Sequence, residues 1–143
     1  MINQLSALVI AASILFSAGL RAEPANGLNV IVTSADRQSQ MMAMMLSFQT
    51  MKEHGKSVNM ALCGPAGDLV LSSTETDIFL PPRKSPSTLL QELIDMGANV
   101  QVCPLYLPSV GKTAEDLLPG ISIAKPSVMA FDLLDRDFQN LTF

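Results

Sequence analysis

The sequence predicts an α/β protein in which a parallel sheet lies between layers of helices, and three observations carry that expectation. Leu28 to Thr33, LNVIVT, is a continuous apolar run with β-branched residues, the pattern of a strand covered on both faces. Further runs of this kind alternate with stretches whose apolar residues recur at helical spacing, which implies parallel strands joined by crossover helices in three layers. Finally, both cysteines, Cys63 and Cys103, follow such a run and precede a chain breaker. That places them at carboxyl ends of strands, the edge where ligands and chemistry gather in open α/β sheets.

Before the first strand, Leu5 to Leu20 is a run of apolar and small residues, followed by Leu20-Arg21-Ala22 and Glu23-Pro24. It reads as a secretory signal peptide over residues 1–22 with cleavage near Ala22. The uncharged stretch from Met1 is only marginally long enough to span a bilayer, and its small-residue end, Ser17-Ala18-Gly19, favours processing over anchoring. A periplasmic domain of residues 23–143 is therefore expected, with no membrane contact after cleavage.

After the first strand, Ser34 or Asp36 can cap a helix running to Lys52 or His54. Met41, Met44, Met45, Phe48 and Met51 supply its apolar face, and Gly55 closes it. Lys56 to Leu62 is the second strand, broken by Cys63-Gly64-Pro65-Ala66-Gly67. Asp68 to Pro82 is readable either as short strands or as a helical turn with a loop.

Ser85 caps the next helix, Pro86 suits its first turn, Leu89, Leu90, Leu93 and Ile94 share a face, and Gly97 ends it. Asn99 to Val102 is a strand that Pro104 stops, because proline biases Cys103 towards extended backbone and donates nothing to a sheet ladder. Tyr106 to Lys112 reads as a loop, and Thr113-Ala114-Glu115-Asp116 as the capped start of a short helix through Leu118. Pro126 to Leu134 forms a last helix with Val128, Phe131 and Leu134 on one face, and Phe138 to Phe143 a last strand.

Composition narrows the functions. A chain of 143 residues, 48% hydrophobic and 15% charged, has enough apolar content for one globular core. The net charge of −4 is spread with Lys and Arg occurring singly apart from Arg83-Lys84, so a phosphate-tracking surface is missing and nucleic acid is not an expected partner. Met41, Met42, Met44 and Met45 could suggest soft Cu(I) ligands, but they fall on more than one helical face and suit core filling better. His54 stands at a helix end without triad or metal partners nearby in sequence, and Gly64-Pro65-Ala66-Gly67 lacks the phosphate-cradling glycine pattern. No metal or organic cofactor is expected.

Taken together, LNVIVTS, an amphipathic helix, VNMALCG, SPSTLLQELIDMGANVQVCPLYLP and IAKPSVMAFDLLDRDFQNLTF resemble the DsrE/DsrF-like family over most of residues 28–143. The resemblance implies an α/β/α fold on a parallel sheet of about five strands, assembled into homo-oligomers such as trimers or hexamers. In sulfur-relay members, a cysteine at the position of Cys103 carries sulfane sulfur as a persulfide and passes it to a partner cysteine. Such chemistry needs an exposed thiolate, since a thiol of pKa ~8.5 is only a few per cent ionised at neutral pH. Tyr106, Lys112 and Lys125 are the candidate neighbours and Cys63 a possible second thiol.

Export would separate the protein from cytoplasmic relay partners and require a different donor, such as thiosulfate-derived or polysulfide sulfur. Three readings of Cys103 therefore stand side by side: a sulfur-handling nucleophile, an inert buried thiol, or half of a disulfide with Cys63, which an oxidising compartment favours. The corresponding alternative function is a non-catalytic binding or assembly module. Strands separated by one other lie roughly 10 Å apart, beyond the ~7 Å reach of a disulfide. The order of the strands is not legible in the sequence.

Overall fold

The structure, a computed structural model, describes residues 23–74 and 76–143. The expected signal peptide, residues 1–22, lies outside the described residues. Five strands form one all-parallel sheet: β1 (Gly27–Val32), β2 (Ser57–Leu62), β3 (Asn99–Val102), β4 (Ser122–Ile123) and β5 (Phe138–Thr142), in the order β4-β3-β2-β1-β5. The α/β prediction therefore holds, and β2 and β3 are direct neighbours, with Leu62 opposite Val102.

Alternation along the strands divides the sheet into two unlike faces. Val30, Val32, Val58, Met60, Leu62, Val100 and Val102 point to one face and are buried. That face is covered by α1 (Arg37–His54) and α2 (Pro86–Asp95), which bring Met41, Met44, Leu89, Leu90 and Leu93 into the same core. Helix α1 starts where the Asp36 carboxylate accepts from the backbone N–H groups of Gln38 and Ser39. It ends at Gly55, whose φ of 61° is left-handed and whose N–H returns to the carbonyl of Met51. Met42, at 50% exposed, lies off the core-facing side, so the methionine cluster is divided between core and surface as expected.

The opposite face is polar. Asn29, Asn59, Asn99 and Asn140 stand in register across four strands, and their side chains join in a row. Asn99 Nδ2 donates to Asn59 Oδ1 at 3.2 Å, Asn59 Nδ2 to Asn29 Oδ1 at 3.0 Å, and Asn29 Nδ2 to Asn140 Oδ1 at 3.0 Å. The row ends on a helix covering this face, Pro126–Leu134, which is α4 in chain order after the single turn α3 (Tyr106–Ser109). Asn29 donates to the carbonyl of Asp132 and Asn140 to that of Leu133, so the ladder satisfies carbonyls at the helix end. Between α4 and the row lies a space of about 20 Å³, room for about one water rather than a substrate.

Several elements depart from the sequence expectation. Residues 106–112 are not simply a loop: burial of Tyr106 and Leu107 pins one helical turn, whose Ser109 hydroxyl donates to the Tyr106 carbonyl. The helix expected to run through Leu118 is a 3-10 turn, Ala114–Asp116, closed by reciprocal Thr113–Asp116 capping. The ambiguous stretch Asp68 to Pro82 begins inside a 3-10 helix, Gly64–Val70, and its other described residues form no regular strand, only single bridges of Leu71 to Leu117 and Phe79 to Lys84. The face shared by Val128, Phe131 and Leu134 turns outward, at 44%, 74% and 82% exposed, because the Asn29 and Asn140 bonds aim α4 onto the sheet through Met129, Asp132 and Leu133.

Candidate functional site

The adjacency of β2 and β3 brings the two cysteines together. Cys63 N–H donates to the Val32 carbonyl and Cys103 N–H to the Leu62 carbonyl, each at 2.9 Å, so both residues continue the ladder one step past the strands. Their Cα atoms are 5.0 Å apart and the side chains form a disulfide across the carboxyl edge of the sheet. Of the three readings of Cys103, the disulfide is the state observed. Both residues are half-buried. Cys103 packs against the apolar core, whereas Cys63 is followed by exposed Gly64 and Pro65.

Tyr106, 5% exposed, ties the two post-strand segments together. Its N–H donates to the Cys103 carbonyl, its ring lies against Gly67, and its hydroxyl donates to the Asp68 carboxylate. A Cβ on Gly67 would collide with that ring, so glycine permits the close approach. Burial, followed by the bond to and the charge of Asp68, raises the phenol above the ordinary tyrosine value. Tyr106 thus acts as a clasp between the Cys63 and Cys103 segments. Gly67 and Asp68 were not expected from the sequence, because the partner lies 38 residues away and only the fold brings it close.

The lysines are placed differently. Lys112 Nζ lies 3.2 Å from Asp116 Oδ1, an ion pair within the capped turn. The Thr113 backbone N–H first, and Lys112 second, hold the Asp116 carboxyl below its usual range. Lys125 is exposed and lies two residues past β4, the strand beside β3, at the same sheet edge as Cys103. Beside the edge opens a cleft of about 200 Å³ whose lining includes Arg37, Gln40, Pro65 and Asp68. Gln40 is 3% exposed: its Nε2 donates to the Ser34 carbonyl, while its buried Oε1 has no partner. Among the described residues there is no cluster of three or more His, Cys, Asp or Glu able to hold a metal, and no helix long and apolar enough to cross a membrane.

No family model matches the chain, and no curated protein sequence matches it. Solved structures do. The ychN protein from E. coli is 18% identical, aligns over 82% of this chain and 99% of its own, and superposes with a TM-score of 0.68. MTH1491 from Methanobacterium thermoautotrophicum, a protein of unknown function, is 14% identical, covers 82% of this chain and 97% of its own, and gives 0.57. At these identities the likeness establishes architecture alone: the chain has the DsrE-like fold, a five-stranded all-parallel α/β sheet carrying its paired cysteines at the carboxyl edge.

Proposed function

We propose that this protein handles sulfane sulfur, with Cys103 accepting one sulfur atom as a persulfide and passing it to a partner thiolate. The observation that supports the reading is a pair of cysteine sulfurs, half-buried and side by side, at the ligand-gathering edge of a DsrE-like fold. The disulfide is then the resting state, and it must open before Cys103 can attack a sulfane donor, because the thiolate is the nucleophile. In loading, the Cys103 thiolate attacks a terminal polysulfide sulfur. A bond forms from Cys103 Sγ, the donor's S–S bond breaks, and the shortened polysulfide leaves with the electron pair. In delivery, an acceptor thiolate attacks the outer sulfur and Cys103 leaves as the thiolate. No metal or organic cofactor takes part.

The reading places the mature protein in the periplasm, as a homo-oligomer with a sulfur donor or acceptor protein as its partner. Tyr106 holds the Cys103 segment in place, and Lys125 is the cation nearest in strand order to favour the thiolate. The test uses reduced protein freed of reductant, exposed to polysulfide and mapped by peptide mass. One added sulfur on Cys103, lost in Cys103→Ser, is the expected result. A reduced Cys103 that gains no sulfur would sink the proposal.

A second reading is favoured by a separate observation, the outward apolar face of α4 with Phe131 and Leu134. On it the protein is a non-catalytic assembly module whose disulfide is a permanent staple. That reading predicts a disulfide resistant to mild thiols and no chemistry to lose on Cys103→Ser.

A further inference from the structure

We infer that the Cys63–Cys103 disulfide is itself the acceptor for inorganic hydrosulfide, so that opening it loads Cys103 with a persulfide and releases Cys63 as a thiolate. The inference rests on the sulfur-carrying reading above and names its substrate. In the step, hydrosulfide attacks Cys103 Sγ, a new S–S bond forms there, and the bond between Cys103 and Cys63 breaks. The electron pair of that bond leaves on Cys63. The incoming sulfur is oxidised by two electrons from the sulfide to the sulfane level, and the disulfide is the oxidant. Charge balances, one anion consumed and one formed, and no further oxidant is needed.

Three features of the site favour this course. The two sulfurs differ in surroundings: Cys103 packs on the apolar core while Cys63 borders exposed Gly64 and Pro65. Apolar surroundings disfavour a thiolate, so Cys63 is the better leaving group and Cys103 the better place for the new bond. On the Cys63 side, Pro65 and the cation Arg37 line the same cleft, which puts open space and positive charge near the segment that receives the leaving thiolate, while the Asp68 carboxylate on that lining is engaged by Tyr106. Lastly, the strand ladder and the Tyr106 clasp hold both segments whether or not the sulfurs are bonded. The freed Cys63 thiolate thus stays beside the loaded Cys103.

The experiment treats the oxidised full-length protein with sodium hydrosulfide without oxygen, alkylates it and maps the peptides. The expected result is one added sulfur on Cys103 and one newly alkylated Cys63 per chain. Reduced protein given hydrosulfide should gain nothing, having no oxidant, and Cys63→Ser should lose uptake from hydrosulfide while keeping uptake from polysulfide. If Cys63→Ser fails to fold, the wild-type oxidised and reduced arms decide alone. An inert disulfide in a protein whose reduced form still takes sulfur from polysulfide would overturn this inference and leave the carrier reading standing. Inertness in both arms overturns both. Sulfur added to Cys63 instead, or uptake from hydrosulfide by reduced protein or by Cys63→Ser, also overturns it.

Discussion

Tyr106 shows how one side chain couples the chemistry to the fold. It is the sole tyrosine in a chain without tryptophan, so tyrosinate absorbance reports it alone. Its pKa is raised in the folded protein by burial first and Asp68 second, and the neutral phenol is therefore the form the native state favours. The resulting stability is fully present below the unfolded value of about 10 and is lost as pH rises from there through the folded value. Absorbance titration of native protein should show ionisation delayed beyond that of the urea-unfolded chain. Tyr106→Phe should abolish this alkaline fall and cost about 1 kcal/mol in urea unfolding at neutral pH, since exposed Asp68 then turns to water. An unshifted titration would remove the clasp from the account.

Among the elements, the contrast lies between the apolar and the polar face of one sheet. Asn29 is 4% exposed and joins three partners: Asn59, Asn140 and the Asp132 carbonyl. Asn29→Ala strands those groups and should destabilise by about 2 kcal/mol, whereas Asn99→Ala, at the exposed end of the row, should cost under about 1. Amide hydrogen exchange should quicken first in α4, the element the ladder anchors. The disulfide joins the ends of β2 and β3 across a sequence separation of 40, and closing a loop of that length is worth about 4 kcal/mol in the chain-entropy account. A thiol reductant should lower the urea midpoint accordingly while leaving the far-ultraviolet circular dichroism unchanged, since the core face does not depend on the bridge. The row was invisible to a linear reading because it consists of single asparagines in four separate strands, and an isolated asparagine reads as a turn or surface residue.

At the scale of the whole molecule, α4 leaves Phe131 and Leu134 at 74% and 82% exposed, on a chain expected to assemble with copies of itself. Scattered apolar surface is ordinary, but two large side chains one helical turn apart form a contact stripe. Light scattering should give a mass above that of one chain, rising with concentration, and Phe131→Ser should return it to the monomer without lowering unfolding stability, because little is buried there. A monomeric wild type would withdraw the oligomer. The apolar spacing of Val128, Phe131 and Leu134 was legible, yet its direction was not, since the helix is rotated by polar bonds to the sheet rather than by its own apolar residues.

The sequence by itself determined the layers of the core. Continuous β-branched runs and helical spacing of leucine and methionine dictate strands and helices because local periodicity decides which residues leave water, whatever the partner. It likewise placed Cys63 and Cys103 at strand ends, since glycine and proline stop a ladder locally. Only the tertiary structure decided that β2 and β3 lie side by side, and with that the 5.0 Å separation that permits the disulfide. Strand order depends on which crossovers pack, a property of the assembled sheet, and so do the Asp68 partner of Tyr106 and the asparagine row.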